Sequence, residues 1–204
     1  MGSLRFSFGT MSSGKSTLAL QIHHNLSGTS TGLLCSMHDR AGAQVSSALG
    51  VSTPAIEVDP ALNFESLAIS HRASYGALDY LVCDEAQFYT DSQVEQLARV
   101  VDEMDVDVYA FGLLTDFRGK LFPGSARLLE IADQRHELQV QARCWCGEPA
   151  THNARLHDGV QVYDGDVVLI DDGSTAKVTY ELRCRNHWIS GQAGPIADRY
   201  KAAG

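Results

Sequence analysis

The amino-acid sequence predicts an α/β fold: a P-loop domain built on a parallel sheet with helices on both faces, followed by a small C-terminal domain. Three observations point there. Short apolar runs alternate with stretches of helical periodicity through residues 1–141. A glycine-rich loop, GTMSSGKS, joins the first of those runs to the first helical stretch. Beyond residue 142 the helical pattern stops, turn residues multiply, and three of the five cysteines are found.

Residues 4–8, LRFSF, alternate apolar and polar side chains as a half-buried strand does. After the glycine loop, Leu18, Ile22 and Leu26 recur at helical spacing, and Ala19 widens the stripe. Residues 32–36 read as the next strand, and residues 63–72 as a helix for which Asn63 is a candidate cap. YLVCDEAQF opens at Tyr80 with a continuous apolar run, which suits a strand covered on both faces. In TDSQVEQLARVVDEM, Val94, Leu97, Ala98 and Val101 form one stripe, while Thr90 and Gln93 are spaced for a capping box. VDVYAFGL predicts another strand, GSARLLEIAD a shorter helix and HELQVQA a further strand. Strands alternating with helices imply a mostly parallel sheet. The organisation expected is a P-loop domain over 1–141, a cysteine-bearing domain over 142–190 and a flexible tail over 191–204.

Composition narrows the function. The 204 residues, 44% apolar, suffice for one good core and a small appended module. Lys and Arg number 16 against 25 Asp and Glu, a net charge of −9, and the pI is about 5.2. Such acidity argues against a nucleic-acid polymer as partner, because clustered cations drive that binding. No apolar run approaches the ~20 residues that span a bilayer, so no membrane association is expected. The N-terminus lacks the pattern of a secretion signal. Gly2 stands as in an acylation motif, but Phe6 occupies the place of the required Ser or Thr. The expected address is the cytoplasm, where cysteines are reduced or bind metal.

Gly9 through Ser16 fit the pattern G-x-x-x-x-G-K-[ST] between a strand and a helix. Glycine lets the backbone curl so that successive N–H groups turn toward phosphate oxygens. Thr10, Met11, Ser12, Ser13 and Gly14 form that curl. Lys15 supplies charge to the outer phosphates, Ser16 offers a hydroxyl to Mg²⁺, and the helix starting at Ser16 and Thr17 aims its positive end at the same anion. A P-loop enzyme also needs an acid near the metal at the end of a buried strand, and Asp84 has that position. Glu85, beside it, is placed to take a proton from an attacking hydroxyl. Farther on, Cys144, Cys146, Cys184 and His187 offer a Cys₃His set for a structural zinc ion, with Trp145 as its shield. Cys35 and Cys83 fall in predicted strands and suit packing. His23 and His24 read as helix-surface residues without a partner carboxylate.

In chain order, GTMSSGKS, HDRAGAQVSSALGVSTPA, DEAQF, GLLTDFRGKLFPGSARLL, CWCG and CRNHW resemble the thymidine kinase family of the cytosolic, zinc-containing type, in its bacterial branch. The resemblance runs from Leu4 to Trp188. It implies ATP-dependent phosphorylation of thymidine at the 5′-hydroxyl in nucleotide salvage; deoxyuridine is expected as a second acceptor because losing one methyl group costs only about 1–3 kcal/mol. Carried over by motif, Glu85 is the general base, Asp84 helps hold Mg²⁺ with ATP, and Asp39 and Arg40 lie near the phosphates. Gln87, Phe88, Phe117, Val168 and Tyr180 would bind the nucleoside, Phe117 by stacking on the thymine ring. The C-terminal domain becomes a zinc-binding lasso whose backbone, over residues 162–180, reads the base. The assembly implied is a homotetramer. Two stretches depart from the family pattern: only Trp145 separates Cys144 from Cys146, and VVLIDDGSTAKVTY stands where a Gly-Gly is typical.

A P-loop ATPase that couples hydrolysis to a protein or nucleic-acid partner would share the same core. Its nucleic-acid version needs a basic groove, which the net charge opposes. A nucleic-acid-binding ribbon in the second domain meets the same objection. Glu148, Asp158, Asp164, Asp166, Asp171, Asp172 and Glu181 crowd the stretch between Cys146 and Cys184.

Overall fold

Successive side chains of a strand point to opposite faces, and that alternation assigns the layers of this molecule. The computed structural model describes residues 1–37, 43–138, 142–167 and 177–194. The chain runs through β1 (Leu4–Gly9), α1 (Lys15–Ser27), β2 (Gly32–Ser36) and the short strands β3 (Gln44–Ser46), β4 (Ser52–Pro54) and β5 (Ile56–Glu57). Next come α2 (Phe64–Tyr75), β6 (Tyr80–Asp84), α3 (Asp91–Met104), β7 (Asp107–Leu113), α4 (Pro123–Ile131) and β8 (Gln134–Glu137). Strands β5, β2, β6, β7, β1 and β8 lie side by side in that order, and every pairing among them is parallel. β3 and β4 form a separate antiparallel hairpin.

Residues Met1–Leu114 and Phe122–Leu138 make one compact unit around this sheet. Along β6, Tyr80 and Val82 point one way, where with Leu34 and Phe111 they meet Ala19 and Leu20 of α1. Leu81 and Cys83 point the other way and join Leu4, Phe6, Cys35, Val108 and Ala110 beneath α2, α3 and α4. Burying each large apolar side chain contributes roughly 1.5–3 kcal/mol, so a strand covered on both faces is held far more firmly than an edge. The helix starts follow their sequence signals. The Asn63 side chain accepts from the Ser66 amide at 2.8 Å, and Thr90 with Gln93 completes the predicted capping box. Gln93 also donates to the carbonyls of Asp59 and Leu62, at 2.7 and 3.1 Å, which ties α3 to the turn before α2.

Of the predicted stripe of α1, Ala19 is buried and Ile22 and Leu26 pack partly buried against the same cluster; Leu18 alone departs from it. Leu18 stays exposed, while Lys15, Ala19 and Leu20 are buried. Lys15 turns inward to the glycine loop, and Ala19, one turn later, is small enough to let the helix lie close to the sheet. The strands β3, β4 and β5 were not predicted; each has three residues or fewer, too few for periodicity to register.

The second unit takes in the described residues from 142 onward and also Thr115–Leu121, a crossing that no periodicity signals. It holds β9 (His152–His157), β10 (Val160–Val162), β11 (Val178–Arg183) and α5 (Arg185–Ser190). Its sheet has the order β10-β9-β11 and is antiparallel throughout. α5 departs from the expectation of no helix there; its six residues are too short to show a stripe. Polar groups take over much of the interior. Arg183 is completely buried, donates to Glu181 Oε2 from Nε at 3.1 Å and from Nη2 at 2.8 Å, and reaches Gln161 Oε1 through Nη1. Gln161 in turn donates to the Trp188 carbonyl at 3.0 Å. Of the predicted tail, residues 195–204 lie outside the described set. No helix among the described residues is long and apolar enough to cross a membrane.

Candidate active site

The loop between β1 and α1 owes its shape to two glycines and one inward lysine. Gly14 (φ 79°) and Ser12 (φ 58°) take left-handed backbone conformations, which glycine adopts freely and serine only under constraint. At Gly9 a Cβ would come within 2.5 Å of Ser13 Oγ and 2.9 Å of the Leu138 carbonyl, so only glycine fits. Lys15 is buried, and its Nζ donates to the Thr10 carbonyl at 2.7 Å, which curls the loop around the ammonium. Desolvation lowers the Lys15 pKa, against the opposing pull of the Glu85 and Asp84 charges. α1 starts with no capping side chain and no acid in its first turn, so its first amides and dipole are available to an anion. Met11, Ser12, Ser16 and Thr17 line the same turn, only Ser12 of them being exposed.

Asp84 ends β6, with Ser36 of β2 as its register partner on one side. It is buried, and its pKa is pushed up to about 6. Desolvation is the largest cause and the neighbouring Glu85 carboxylate the next, while hydrogen bonds from the Ser16 side chain and the Glu85 amide and the charge of Lys15 work against them. Ser16, Lys15, Asp84 and Glu85 therefore form one constellation. A hydroxyl beside a buried carboxylate is a hard oxygen donor pair of the kind Mg²⁺ takes together with phosphate oxygens. Glu85 sits at φ 53° and ψ 31°, a left-handed conformation uncommon for a non-glycine residue. The chain then makes a tight turn, Ala86–Phe88. Gln87 is fully buried there. The family resemblance expects it at the nucleoside; its side-chain amide donates to Glu85 Oε2 at 2.5 Å and accepts from the Leu113 N–H at 3.0 Å. Phe88 is half-buried and stands edge-on to Phe122, with ring centroids 5.4 Å apart.

The second unit holds its own constellation. Phe117 is buried in a turn that Asp116 closes by accepting from the amides of Arg118 and Lys120. The Arg155 guanidinium lies 3.7 Å above the Phe117 ring centroid, close enough for a cation–π contact. The same group donates to Tyr180 Oη at 2.9 Å and to the carbonyls of Asp166 and Val167 at 2.5 and 2.8 Å. Trp188 Nε1 donates to the Phe117 carbonyl at 3.1 Å. Arg155 thus joins Phe117, Tyr180 and the backbone just before residue 168. Sequence reasoning had no signal for this, since an arginine in a polar strand reads as solvent-facing. Asp39, Arg40 and Val168 lie outside the described residues.

Cys144, Cys146, Cys184 and His187 converge, with one ligand atom from each lying within 4.8 Å of all the others. Cys144 Sγ is 3.3 Å from His187 Nδ1, Cys184 Sγ 3.5 Å from it, and Cys146 Sγ 4.0 Å from Cys184 Sγ. A tetrahedral ion about 2.3 Å from sulfur and 2.1 Å from nitrogen sets such atoms roughly 3.5–3.8 Å apart, so the four residues could hold a metal ion such as zinc. The one-residue spacing suffices because Gly147 (φ 91°) turns the knuckle back and its amide bonds the Cys144 carbonyl at 2.9 Å. Burial raises the Cys144 thiol pKa, but hydrogen bonds from the Cys146 and Cys184 amides, His187 and the Cys146 side chain outweigh it and bring it to about 6. Trp145 stacks on His187 with centroids 4.2 Å apart and covers the imidazole, as expected.

Comparison with known proteins places this geometry in context. A family model described as thymidine kinase matches residues 2–188. The chain is similar to the thymidine kinase of Cutibacterium acnes, with 50% identity over 200 residues that cover 97% of this chain and 93% of that protein. It is 51% identical over 191 residues to the thymidine kinase of Streptomyces coelicolor, covering 92% of this chain and 88% of that one. With the thymidine kinase of Ruegeria pomeroyi it shares 40% identity over 202 residues, 97% and 98% of the two chains.

Two outcomes follow from the charges and thiols. The folded pKa of Asp84, about 6, lies above the ordinary 3.8, so folding binds this proton more tightly. The stability it contributes is complete below the ordinary value and is lost as pH rises through about 6. In metal-free buffer the melting temperature of Asp84→Asn should therefore rise relative to the unaltered chain between about pH 4 and pH 7; a flat or inverted difference contradicts the burial assignment. Elemental analysis should find about one zinc ion per chain, lost together with melting temperature in Cys184→Ser. A metal-free chain with unchanged melting would remove the site.

Proposed function

The chain belongs to the thymidine kinase family, and we propose that it transfers the terminal phosphoryl group of ATP to the 5′-hydroxyl of thymidine, releasing thymidine 5′-monophosphate and ADP. The observation that carries this reading is the convergence of a phosphate loop with two successive carboxylates at the end of a buried strand. Lys15 and the loop amides hold the phosphates, and the start of α1 faces their negative charge. Ser16 and Asp84 are the residues that would hold Mg²⁺, which, when bound, neutralises charge on the phosphate oxygens. Glu85 accepts the proton of the 5′-hydroxyl as its oxygen bonds to phosphorus, while the bond from phosphorus to the bridging oxygen breaks and ADP leaves.

Asp39 and Arg40 are proposed as further phosphate contacts. Phe117 is proposed as the stacking surface for thymine, with Phe88, Tyr180 and the segment containing Val168 completing nucleoside recognition. The Cys₃His cluster is assigned a structural zinc ion, since all of its ligand positions come from the protein. Deoxyuridine is the expected second acceptor, because one missing methyl group alters discrimination by only about 1–3 kcal/mol. Nucleotide salvage, a cytoplasmic address and a homotetrameric assembly complete the reading on the strength of the family likeness.

Incubation with ATP, Mg²⁺ and a panel of nucleosides tests it. Thymidine and deoxyuridine should be converted to 5′-monophosphates, one ADP per product. Glu85→Gln should lower kcat by roughly 10²–10⁴ while ATP binding persists. Near-normal turnover in that variant, a clear preference for deoxycytidine, or ADP release independent of nucleoside would each contradict the assignment.

A further inference from the structure

Gln87 is fully buried, and the direction of its amide is fixed by chemistry. The Leu113 backbone N–H can only donate, and it points at Gln87 Oε1 from 3.0 Å. The Nε2 group must therefore face Glu85 Oε2, 2.5 Å away. A flipped amide would set N–H against N–H on one side and oxygen against carboxylate on the other. The side chain is thus a strut running from β7 to the Glu85 carboxylate.

The strut is seated by close backbone approach at its β7 end and at the turn that carries it. At Gly112 a Cβ would lie 2.8 Å from Gln87 Oε1 and 3.0 Å from the Gln87 amide nitrogen. At Gly124, in the first turn of α4, a Cβ would meet the carbonyls of Ala86, Tyr89 and Gln87 at 2.4, 2.7 and 3.0 Å. Ser125 Oγ donates to the Leu113 carbonyl at 2.6 Å, locking the end of β7 to the same helix. Glu85, by contrast, is only part-buried, sits in an uncommon backbone conformation, and carries a flexible side chain. Such a carboxylate samples several rotamers unless a neighbour holds it.

We propose that Gln87 is a positioning residue for the phosphoryl-transfer base: its buried amide, oriented by the Leu113 N–H, ties one oxygen of Glu85 and leaves Oε1 to take the proton of the acceptor hydroxyl. This rests on the reading of Glu85 as that base. Misplacing a reacting group by about 1 Å costs on the order of 10²-fold in rate, so the strut acts on turnover and not on substrate affinity.

A double-mutant cycle on the full chain, followed by steady-state kinetics with ATP and thymidine, tests the proposal. Gln87→Met should lower kcat about 10- to 100-fold, with both KM values moving less than about threefold. In a Glu85→Gln background the same substitution should cost less than about threefold, because the group being positioned is already gone. Gln87→Leu removes both the acceptor and the donor at similar volume; it should fall as far as Gln87→Met, and it carries the cycle if the Met variant does not fold. Equal losses in both backgrounds, or near-normal kcat in Gln87→Met, overturn the positioning role while leaving Glu85 in place. Near-normal kcat in Glu85→Gln alone overturns the underlying assignment, and the proposal with it.

Discussion

Asp84 carries a carboxylate at the end of a strand that is buried along its whole length, and much of the first unit is arranged around keeping that charge there. An isolated buried carboxylate is costly. Here the Ser16 side chain, the Glu85 amide and the Lys15 ammonium offset part of the cost, and the remainder shows as a raised pKa. Lys15 is desolvated in its turn, so each charge makes the other tolerable. The glycine loop, the inward face of α1 and the sharp turn at Glu85 all follow from bringing these groups within reach. The sheet order helps, since β6 runs between β2 and β7 and can end in the interior.

The second unit solves a different problem. Among its described residues it has few large apolar side chains to bury, chiefly Phe117 and Leu156 with the small Ala154, and modules of that size need staples. Two buried arginines supply part of the order. Arg183 is satisfied by Glu181 and Gln161; Arg155 is satisfied by a phenol, two carbonyls and an aromatic face. The Cys₃His residues bring the turn at Cys144 together with the start of α5, where they could hold a metal ion. A guanidinium directed at backbone carbonyls fixes chain position more than it adds stability. Here the guanidinium of Arg155 fixes Phe117 and Tyr180 relative to each other.

What the sequence made legible was what local chemistry encodes. The glycine loop, the apolar run ending at Asp84, the Asn63 cap and the Thr90–Gln93 box each depend on residues a few positions apart. The Cys₃His cluster was legible although it spans a longer stretch, because so few residue types hold zinc. The rest was hidden because it depends on distant neighbours. Leu18 matched a helical stripe with Ala19, Ile22 and Leu26, yet it lies at the edge of that stripe and stays exposed while the other three pack inward. The burial of Arg155 and Arg183 depends on the pairing of the antiparallel strands that carry them, which no local pattern encodes. Gln87 read as part of a motif, and only the Leu113 amide, 26 residues away, shows which way its side chain faces.

The proposed function assigns the buried end of β6 to bringing a metal ion to phosphates held by the loop. Calorimetric titration of ATP with and without Mg²⁺, on the native chain and on Asp84→Asn, tests it most directly. The account predicts that Mg²⁺ tightens ATP binding to the native chain about tenfold or more, and that the variant loses this gain while still binding ATP through Lys15 and the loop. Equal Mg²⁺ enhancement in both proteins would contradict it.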